Sequence, residues 1–127
     1  MIYLSLLLSY SSFWIANSNN ITCDSGSSCV LEELSCVQDE DCYISCTDWY
    51  SCNKANFTCP TNWDCYITIN GTETARYTSF ICPENGDCYI SIDGDSTAVG
   101  ATFTCPTNGN CIITANGDYA AVLAEFS

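Results

Sequence analysis

The feature that most constrains the fold is a fifteen-residue phrase that the chain repeats three times. It reads FTCPTNWDCYITING from Phe57, FICPENGDCYISIDG from Phe80 and FTCPTNGNCIITANG from Phe103. The phrases recur every 23 residues, and Leu34 and Phe126 continue the same register in both directions. A fixed period of this length is typical of repeat proteins, in which stacked units share one core. We number the positions of each unit from 1 to 23, with these five residues at position 1.

Within a unit, apolar and polar residues alternate over short segments. Residues 65–69 place Cys and Ile on one face and Tyr and Thr on the other, which predicts a half-buried strand. Residues 57–59 repeat this pattern over a shorter length. Turn residues fill positions 4 to 8, and an Asn-Gly or Asp-Gly pair follows the longer strand. A third, weaker strand is predicted over positions 19 to 23, as in residues 98–102.

These patterns predict an all-β protein, a parallel β-solenoid with 23-residue rungs and about 4.7 rungs over residues 19–127. Each strand would pair in register with its counterpart in the next rung, about 4.8 Å away. Columns of Phe, Cys, Ile and Ala would then form a continuous core. An antiparallel sandwich of hairpins is the alternative, but it gives no reason for interior positions to repeat at a 23-residue spacing.

Twelve of the 127 residues are cysteine, a composition typical of disulfide scaffolds. They form six pairs of the type C-x5-C. Paired positions 3 and 9 carry cysteine in four units, whereas positions 13 and 19 carry it in two units and lose it together elsewhere, which favours disulfides within a rung. Bonds between rungs remain open, and zinc is disfavoured because the chain has no histidine. The predicted disulfide residues are Cys23, Cys29, Cys36, Cys42, Cys46, Cys52, Cys59, Cys65, Cys82, Cys88, Cys105 and Cys111.

The cysteines require an oxidising compartment, and the N-terminus agrees with that. An apolar run followed by Ala16 and Ser18 predicts a signal peptide over residues 1–18, with an uncleaved anchor as the alternative. Asn20, Asn56 and Asn70 begin Asn-x-Ser/Thr triplets and are predicted N-glycosylation sites. We therefore expect a secreted glycoprotein, located extracellularly or at a cell surface.

The formal net charge is −13, with Lys54 and Arg76 as the two basic residues. This balance argues against nucleic acid and anionic membrane surfaces as partners, since both need a basic footprint. We do not expect an enzyme, because the chain lacks histidine and any nucleophile motif, and pairing would leave no free thiol. We expect no cofactor, with calcium as the alternative.

Two outward columns are candidate binding surfaces. Tyr43, Tyr66 and Tyr89 at position 10 alternate with Ser or Thr at position 12 and could form a flat platform for sugar rings. They could equally stabilise the parallel ladder by stacking. Trp49 and Trp63 fall on corners, where they could bind glycans or pack on a neighbouring rung.

A column of carboxylates occupies position 8, with Asp41, Asp64 and Asp87 in successive units. Like charges about 5 Å apart repel each other by about 1 kcal/mol in water. Bound calcium would relieve this repulsion, so these residues are candidate calcium ligands. Alternatively, each Asp accepts a hydrogen bond from the corner backbone.

The columns Cys-Pro-x4-Cys-Tyr-Ile-x-Ile and the Asn/Asp-Gly corner resemble the cysteine-rich right-handed parallel β-helix of the pectin-lyase-like superfold. The resemblance covers residues 34–127 well and residues 19–33 partly, and it implies architecture rather than activity. The catalytic residues of pectin-lyase-like enzymes have no counterpart here. Rungs closed by disulfides are also similar to those of insect antifreeze solenoids, which bind ice through rows of threonine. Here Tyr43, Tyr66 and Tyr89 interrupt the corresponding row.

Unpaired strands at the ends of a solenoid are templates for another chain. The sequence therefore predicts a structural protein whose partner is itself, stacking end to end into fibrils or a cell-surface matrix. The alternatives are a carbohydrate-binding or ice-binding surface module, and the N-terminal fragment of a longer adhesin-like solenoid.

Overall fold

The computed structural model describes residues 15–127, so most of the predicted signal peptide (1–18) lies outside the described residues. No helix in this part has the length and apolar character needed to cross a membrane. The strands are β1 (Ile15–Asn17), β2 (Asn20–Cys23), β3 (Glu33–Ser35), β4 (Cys42–Cys46), β5 (Asn56–Thr58), β6 (Cys65–Asn70), β7 (Ser79–Ile81), β8 (Cys88–Asp93), β9 (Thr102–Thr104), β10 (Cys111–Asn116) and β11 (Glu125–Phe126).

The strands form two parallel sheets that run along the axis of a solenoid. Sheet A has the order β1-β3-β5-β7-β9-β11, and sheet B has the order β10-β8-β6-β4-β2. Neighbouring strands pair at the 23-residue spacing, as in Phe57 with Phe80 and Cys65 with Cys88. The predicted β-solenoid is confirmed, and the antiparallel sandwich is wrong.

The first strand departs from this spacing. In β1, Ala16 pairs with Leu34 of β3, so the connection between β1 and β3 is shorter than a full rung. β1 also lies within the segment that the sequence assigns to the signal peptide. Cleavage after Ser18 would therefore remove β1 and leave β3 as the edge of sheet A.

A ladder of phenylalanines fills the core behind sheet A. Phe57, Phe80 and Phe103 are fully buried, and their ring centroids lie 5.1 Å apart in nearly parallel planes. Phe126 continues the stack at 5.0 Å from Phe103 but is 42% exposed, because no described rung covers it. The core thus runs along the axis and is open at the C-terminal end of the described chain.

The predicted disulfides are all present, and each joins two cysteines of one C-x5-C pair. No cysteine of the described residues is free. In the rungs that lack cysteine at positions 13 and 19, buried Ile69 and Ala75, or Ile92 and Ala98, occupy the same column. An apolar pair therefore replaces a covalent bond at equivalent places in the core.

The third side of each rung is not the predicted strand. Over positions 17 to 21 every second residue has a left-handed backbone conformation, with φ of 55° at Glu73, Ala75 and Tyr77. The N–H of Glu73 donates to Asp95 in the next rung, at 3.1 Å, whereas the N–H of Ala75 donates to Ser51 in the preceding rung, at 2.8 Å. The third side is therefore a hydrogen-bonded ladder without β-strands.

The sequence allows this conformation through the placement of its β-branched residues. Positive φ is costly for a side chain branched at Cβ, and none of the non-glycine residues with positive φ is Val, Ile or Thr. Thr74, Thr97 and Val99 occupy intervening positions instead. The buried hydroxyls of Thr74 and Thr97 donate to the backbone carbonyls of Asp48 and Gly71, at 2.8 and 3.0 Å.

Candidate functional surfaces

The tyrosines of position 10 form a continuous stack on the outside of sheet B. The ring centroids of Tyr43 and Tyr66 lie 4.9 Å apart, and those of Tyr66 and Tyr89 also lie 4.9 Å apart, with interplanar angles of 10° and 5°. Each ring covers the face of its neighbour, so ring edges and hydroxyls point to solvent. A sugar therefore cannot stack on either face of Tyr66, and the geometry favours the ladder-stabilising interpretation.

Two phenol groups of this stack, those of Tyr66 and Tyr89, have raised pKa values. Desolvation, followed by the negative charge of Asp64, raises the pKa of Tyr66. Desolvation, followed by the charge of Asp87, raises the pKa of Tyr89, whose hydroxyl donates to the Asp87 carboxylate at 3.3 Å. Tyr66 and Tyr89 thus form an uncharged strip beside a row of acids.

An open groove of about 310 Å³ follows this strip along sheet B. Its lining residues come from β6, β8 and β10 and are Tyr66, Ile67, Thr68, Tyr89, Ile90, Ser91, Ile112 and Thr114. The lining offers hydroxyls and apolar edges but no charge. It could take a neutral extended ligand, but no group in it supplies catalytic acid–base chemistry.

The two candidate tryptophans lie on different corners of the rung. Trp49 is about half exposed and packs on Tyr50, with ring centroids 4.8 Å apart. Trp63 is also about half exposed, and its backbone oxygen would lie 2.5 Å from a Cβ added to Gly86 in the next rung. The backbones of successive rungs therefore approach closely at the corner of Trp63. Glycine occupies the equivalent position in the next rung, at Gly86, because a side chain there would clash.

The aspartates of position 8 bond to the backbone of the next rung. The Oδ1 atom of Asp41 accepts the N–H of Asp64 at 3.0 Å, and Oδ1 of Asp64 accepts the N–H of Asp87 at 2.8 Å. Asp87 accepts the N–H of Asn110 in the same way, at 2.8 Å. This arrangement is the backbone-bonding alternative raised by the sequence, and it accounts for the column without an ion.

Calcium binding at Asp41, Asp64 and Asp87 stays a prediction. Within residues 15–127, the groups of three potential metal ligands that converge are all cysteines: Cys23, Cys46 and Cys52 in one, and Cys36, Cys42 and Cys65 in the other. These sulfur atoms belong to disulfides, so they are not thiolate ligands.

A neighbouring column was missed by the sequence reasoning. The side-chain amide of Asn85 donates to the Asn62 side chain at 2.8 Å, and the amide of Asn108 donates to Asn85 at 2.8 Å. Asparagine at position 6 of three successive units was the signal that could have predicted this amide ladder. Together with the aspartates, it aligns one corner of four successive rungs, from Asp41 to Asn110.

The predicted glycosylation sites are accessible. Asn20, Asn56 and Asn70 are all exposed, and each lies at the first or last residue of a strand. An attached glycan would therefore extend into solvent without disturbing the core. Attachment itself stays a prediction.

The two ends of the third side carry unpaired backbone groups. In every inner rung, the N–H groups of positions 17 and 21 donate to the next rung, as Ser96 does to Asp118 and Gly100 to Val122. In the last rung the equivalent donors are Tyr119 and Leu123, and neither has an acceptor among the described residues. The C=O of Ala120 likewise lacks the donor that its counterpart Thr97 has in Ala121.

The opposite end shows the complementary set. Position 16 and position 20 carbonyls accept from the preceding rung, as Trp49 and Asn53 do. In the first rung the equivalent carbonyls belong to Gly26 and Val30, and neither accepts a hydrogen bond from the described residues. The N–H of Cys29 likewise donates no hydrogen bond to a described residue. The two ends therefore carry matching donors and acceptors in the same register.

Comparison of the chain with protein-family models, with curated proteins and with solved structures gives no match.

Proposed function

We propose that this chain is a secreted structural protein that assembles end to end into fibrils or a cell-surface matrix. The observation that carries the proposal is the match between the unpaired groups of the two ends. If a second copy continues the solenoid at the same spacing, Tyr119 N–H meets Gly26 C=O and Leu123 N–H meets Val30 C=O. In the reverse direction, Cys29 N–H of the second copy meets Ala120 C=O.

The ends also match in sheet A, through a relation between β1 and β11. The Cα partners of β1 in β3 are Glu33 for Ile15 and Leu34 for Ala16. Glu125 and Phe126 of β11 occupy the same repeat positions, 23 and 1, as Glu33 and Leu34. If a second copy continues the solenoid, β11 of the first copy lies one rung before Glu33 and Leu34 of the second. Removal of β1 by cleavage after Ser18 would vacate the place that β11 of another copy fills.

The apolar contact supports this pairing. Phe126 is 42% exposed at the C-terminal end, and Leu34 occupies the same column at the other end. Placing the Phe126 ring over Leu34 would extend the buried ladder across the junction and remove apolar surface from water. Such a contact is heterologous and does not close on itself, so it generates filaments rather than dimers.

Secretion is supported by the six disulfides, which require an oxidising compartment such as the extracellular space. The net charge of −13 opposes association between copies. Salt screens that repulsion, so assembly should increase with ionic strength.

Sedimentation and negative-stain electron microscopy of the secreted protein, over a concentration series, test the proposal. We expect linear particles whose length grows with concentration, and N-terminal sequencing should place the start at residue 19. The variant Phe126→Asp should remain monomeric because it buries a charge at the junction. Ile81→Asp is the matched control, since Ile81 is 45% exposed but lies on β7, away from both ends.

The control should assemble like the unmodified protein. A sample that stays monomeric at every concentration and salt would overturn the proposal, as would loss of assembly in both variants alike.

A further inference from the structure

The two basic residues of the chain line one groove on the third side of the solenoid. Lys54 and Arg76 belong to successive rungs, and the groove between them has a volume of about 360 Å³. Small-molecule sites start at about 300 Å³, so this groove has room for a short ligand segment. The remaining lining residues are Val30, Leu31, Tyr50, Asn53 and Tyr77.

The backbone ladder holds the two cations next to each other. The N–H of Lys54 donates to the C=O of Arg76 at 2.9 Å, and the N–H of Arg76 donates to Oδ1 of Asn53 at 2.7 Å. Asn53 is 6% exposed and therefore well anchored. The positions of both cations along the groove are thus fixed by the rungs rather than by flexible loops.

The positive charge in the groove is incompletely neutralised. Nη1 of Arg76 contacts the Glu73 carboxylate at 3.1 Å, and its guanidinium lies 5.7 Å from the centre of the Tyr77 ring. Nε of Arg76 is buried without a hydrogen-bond partner. No carboxylate of residues 15–127 pairs with Lys54, although the chain has 15 acidic residues. An incoming anion would therefore find one free ammonium and one partly shared guanidinium.

Two tyrosine rings accompany the cations. Tyr50 is 37% exposed and Tyr77 is 56% exposed. The ring of Tyr77 lies against Gly100 in the next rung, where an added Cβ would come within 2.6 Å of it. Unlike the tyrosines of position 10, these two occupy different columns, because Tyr50 is at position 17 and Tyr77 is at position 21, in the column of Lys54. They therefore do not stack into one continuous ladder. Flat aromatic surface beside a few polar groups is the usual composition of a small-ligand site.

We propose that this groove binds the carboxylate- or sulfate-bearing sugar of an acidic polysaccharide. The cations would hold the acidic group through charge-assisted hydrogen bonds, and the tyrosine rings would pack on the sugar ring. A densely charged polymer is disfavoured, because a chain of net charge −13 repels it everywhere except at the groove. A saccharide with one acidic group per sugar matches a site that has two cations. Both cations and both tyrosines belong to inner rungs of a single copy, so the groove is present without end-to-end assembly.

Isothermal titration calorimetry with trigalacturonate, a sulfated galactose trisaccharide and neutral galactotriose tests the proposal. At least one acidic trisaccharide should bind at least tenfold more tightly than the neutral one, and raised salt should weaken that binding. Lys54→Gln should weaken it about tenfold, since it removes a charge-assisted contact. Thr104→Glu is the matched control, because it makes the net charge more negative by the same amount on the exposed face of β9 in sheet A and should leave affinity within about twofold.

A glutamate-rich tripeptide serves as the competing anion. Equal affinity for that peptide, equal affinity for the neutral sugar, or an equal loss in Thr104→Glu would each overturn the saccharide site. Absence of binding by both acidic trisaccharides to the folded protein would overturn it as well.

Discussion

Replacing one disulfide by the apolar pair that the next rungs already use would test the register of the core. Cys46 and Cys52 form a buried disulfide, and Cys46 pairs with Ile69 in the next rung. Ile69 and Ala75 are fully buried at the corresponding positions. The double variant C46I/C52A therefore continues the Ile and Ala columns by one rung, whereas C46A/C52A leaves a gap between Cys23 and Ile69.

Both double variants lose the same covalent constraint. The cysteines are separated by 6 positions, and closing a loop of this size is worth about 2.4 kcal/mol in the chain-entropy description. They differ by the three extra carbon atoms of Ile, worth about 0.8 kcal/mol each when buried. We therefore expect C46I/C52A to be more stable than C46A/C52A by about 2.4 kcal/mol, and by more if the cavity does not collapse.

Urea unfolding followed by circular dichroism measures this difference, and mass spectrometry under non-reducing conditions verifies that the other five disulfides remain. The expected order of unfolding free energy is the unmodified protein, then C46I/C52A, then C46A/C52A. Equal stability of the two double variants would refute the reasoning, because it would mean that the side chain at position 46 does not point into the column of Ile69.

Three further outcomes are expected. Phe80→Ala should lower the free energy of unfolding by about 3–5 kcal/mol. Phe126→Ala should lower it by much less, because the Phe126 ring stacks on one side only and is partly exposed. Urea unfolding of both variants measures the difference. Gly109→Ala should lower the free energy of unfolding by about 1–3 kcal/mol, because the added Cβ would lie 2.0 Å from the Gly86 oxygen. Gly26→Ala should leave the melting temperature unchanged in thermal melts, because the atom nearest to its added Cβ is 3.7 Å away. The raised pKa of Tyr89 means that its neutral form stabilises the fold fully below the ordinary tyrosine value and that this contribution is lost as pH rises through the raised value. Ultraviolet titration should show a late tyrosinate component that becomes smaller in Tyr89→Phe, with Tyr66 supplying the remainder.

Much of the fold followed from columns that are visible in the printed sequence. Phe57 and Phe80 recur in register because stacked rungs require like residues at like positions, and the alternation in residues 65–69 indicated which faces are buried. The joint loss of cysteine at positions 13 and 19 indicated pairing within a rung, which the structure confirms. Each of these inferences depended on a repeat that survives in several copies.

The third side was predicted poorly because its conformation has little signal in single residues. Ala98 and Val99 suggested a strand, yet Ala98 has a φ of 54°. The informative signal was the exclusion of Val, Ile and Thr from alternate positions, which becomes visible only after all rungs are aligned. The groove of Lys54 and Arg76 was missed for a related reason, since proximity across rungs cannot be seen until the register is known.

The disulfides of residues 15–127 all close within a rung, so the backbone is the single covalent link from one rung to the next, and non-covalent ladders hold the rungs together. Such a chain would extend under tension in a series of small, separate unfolding steps. Under tension applied at its two ends, the chain would unfold one rung at a time. A rung with a single disulfide would lengthen the chain by about 60 Å while the loop closed by that disulfide stayed intact. Chemical reduction would lengthen each step, so the redox state of the surroundings would set how far such a fibre stretches.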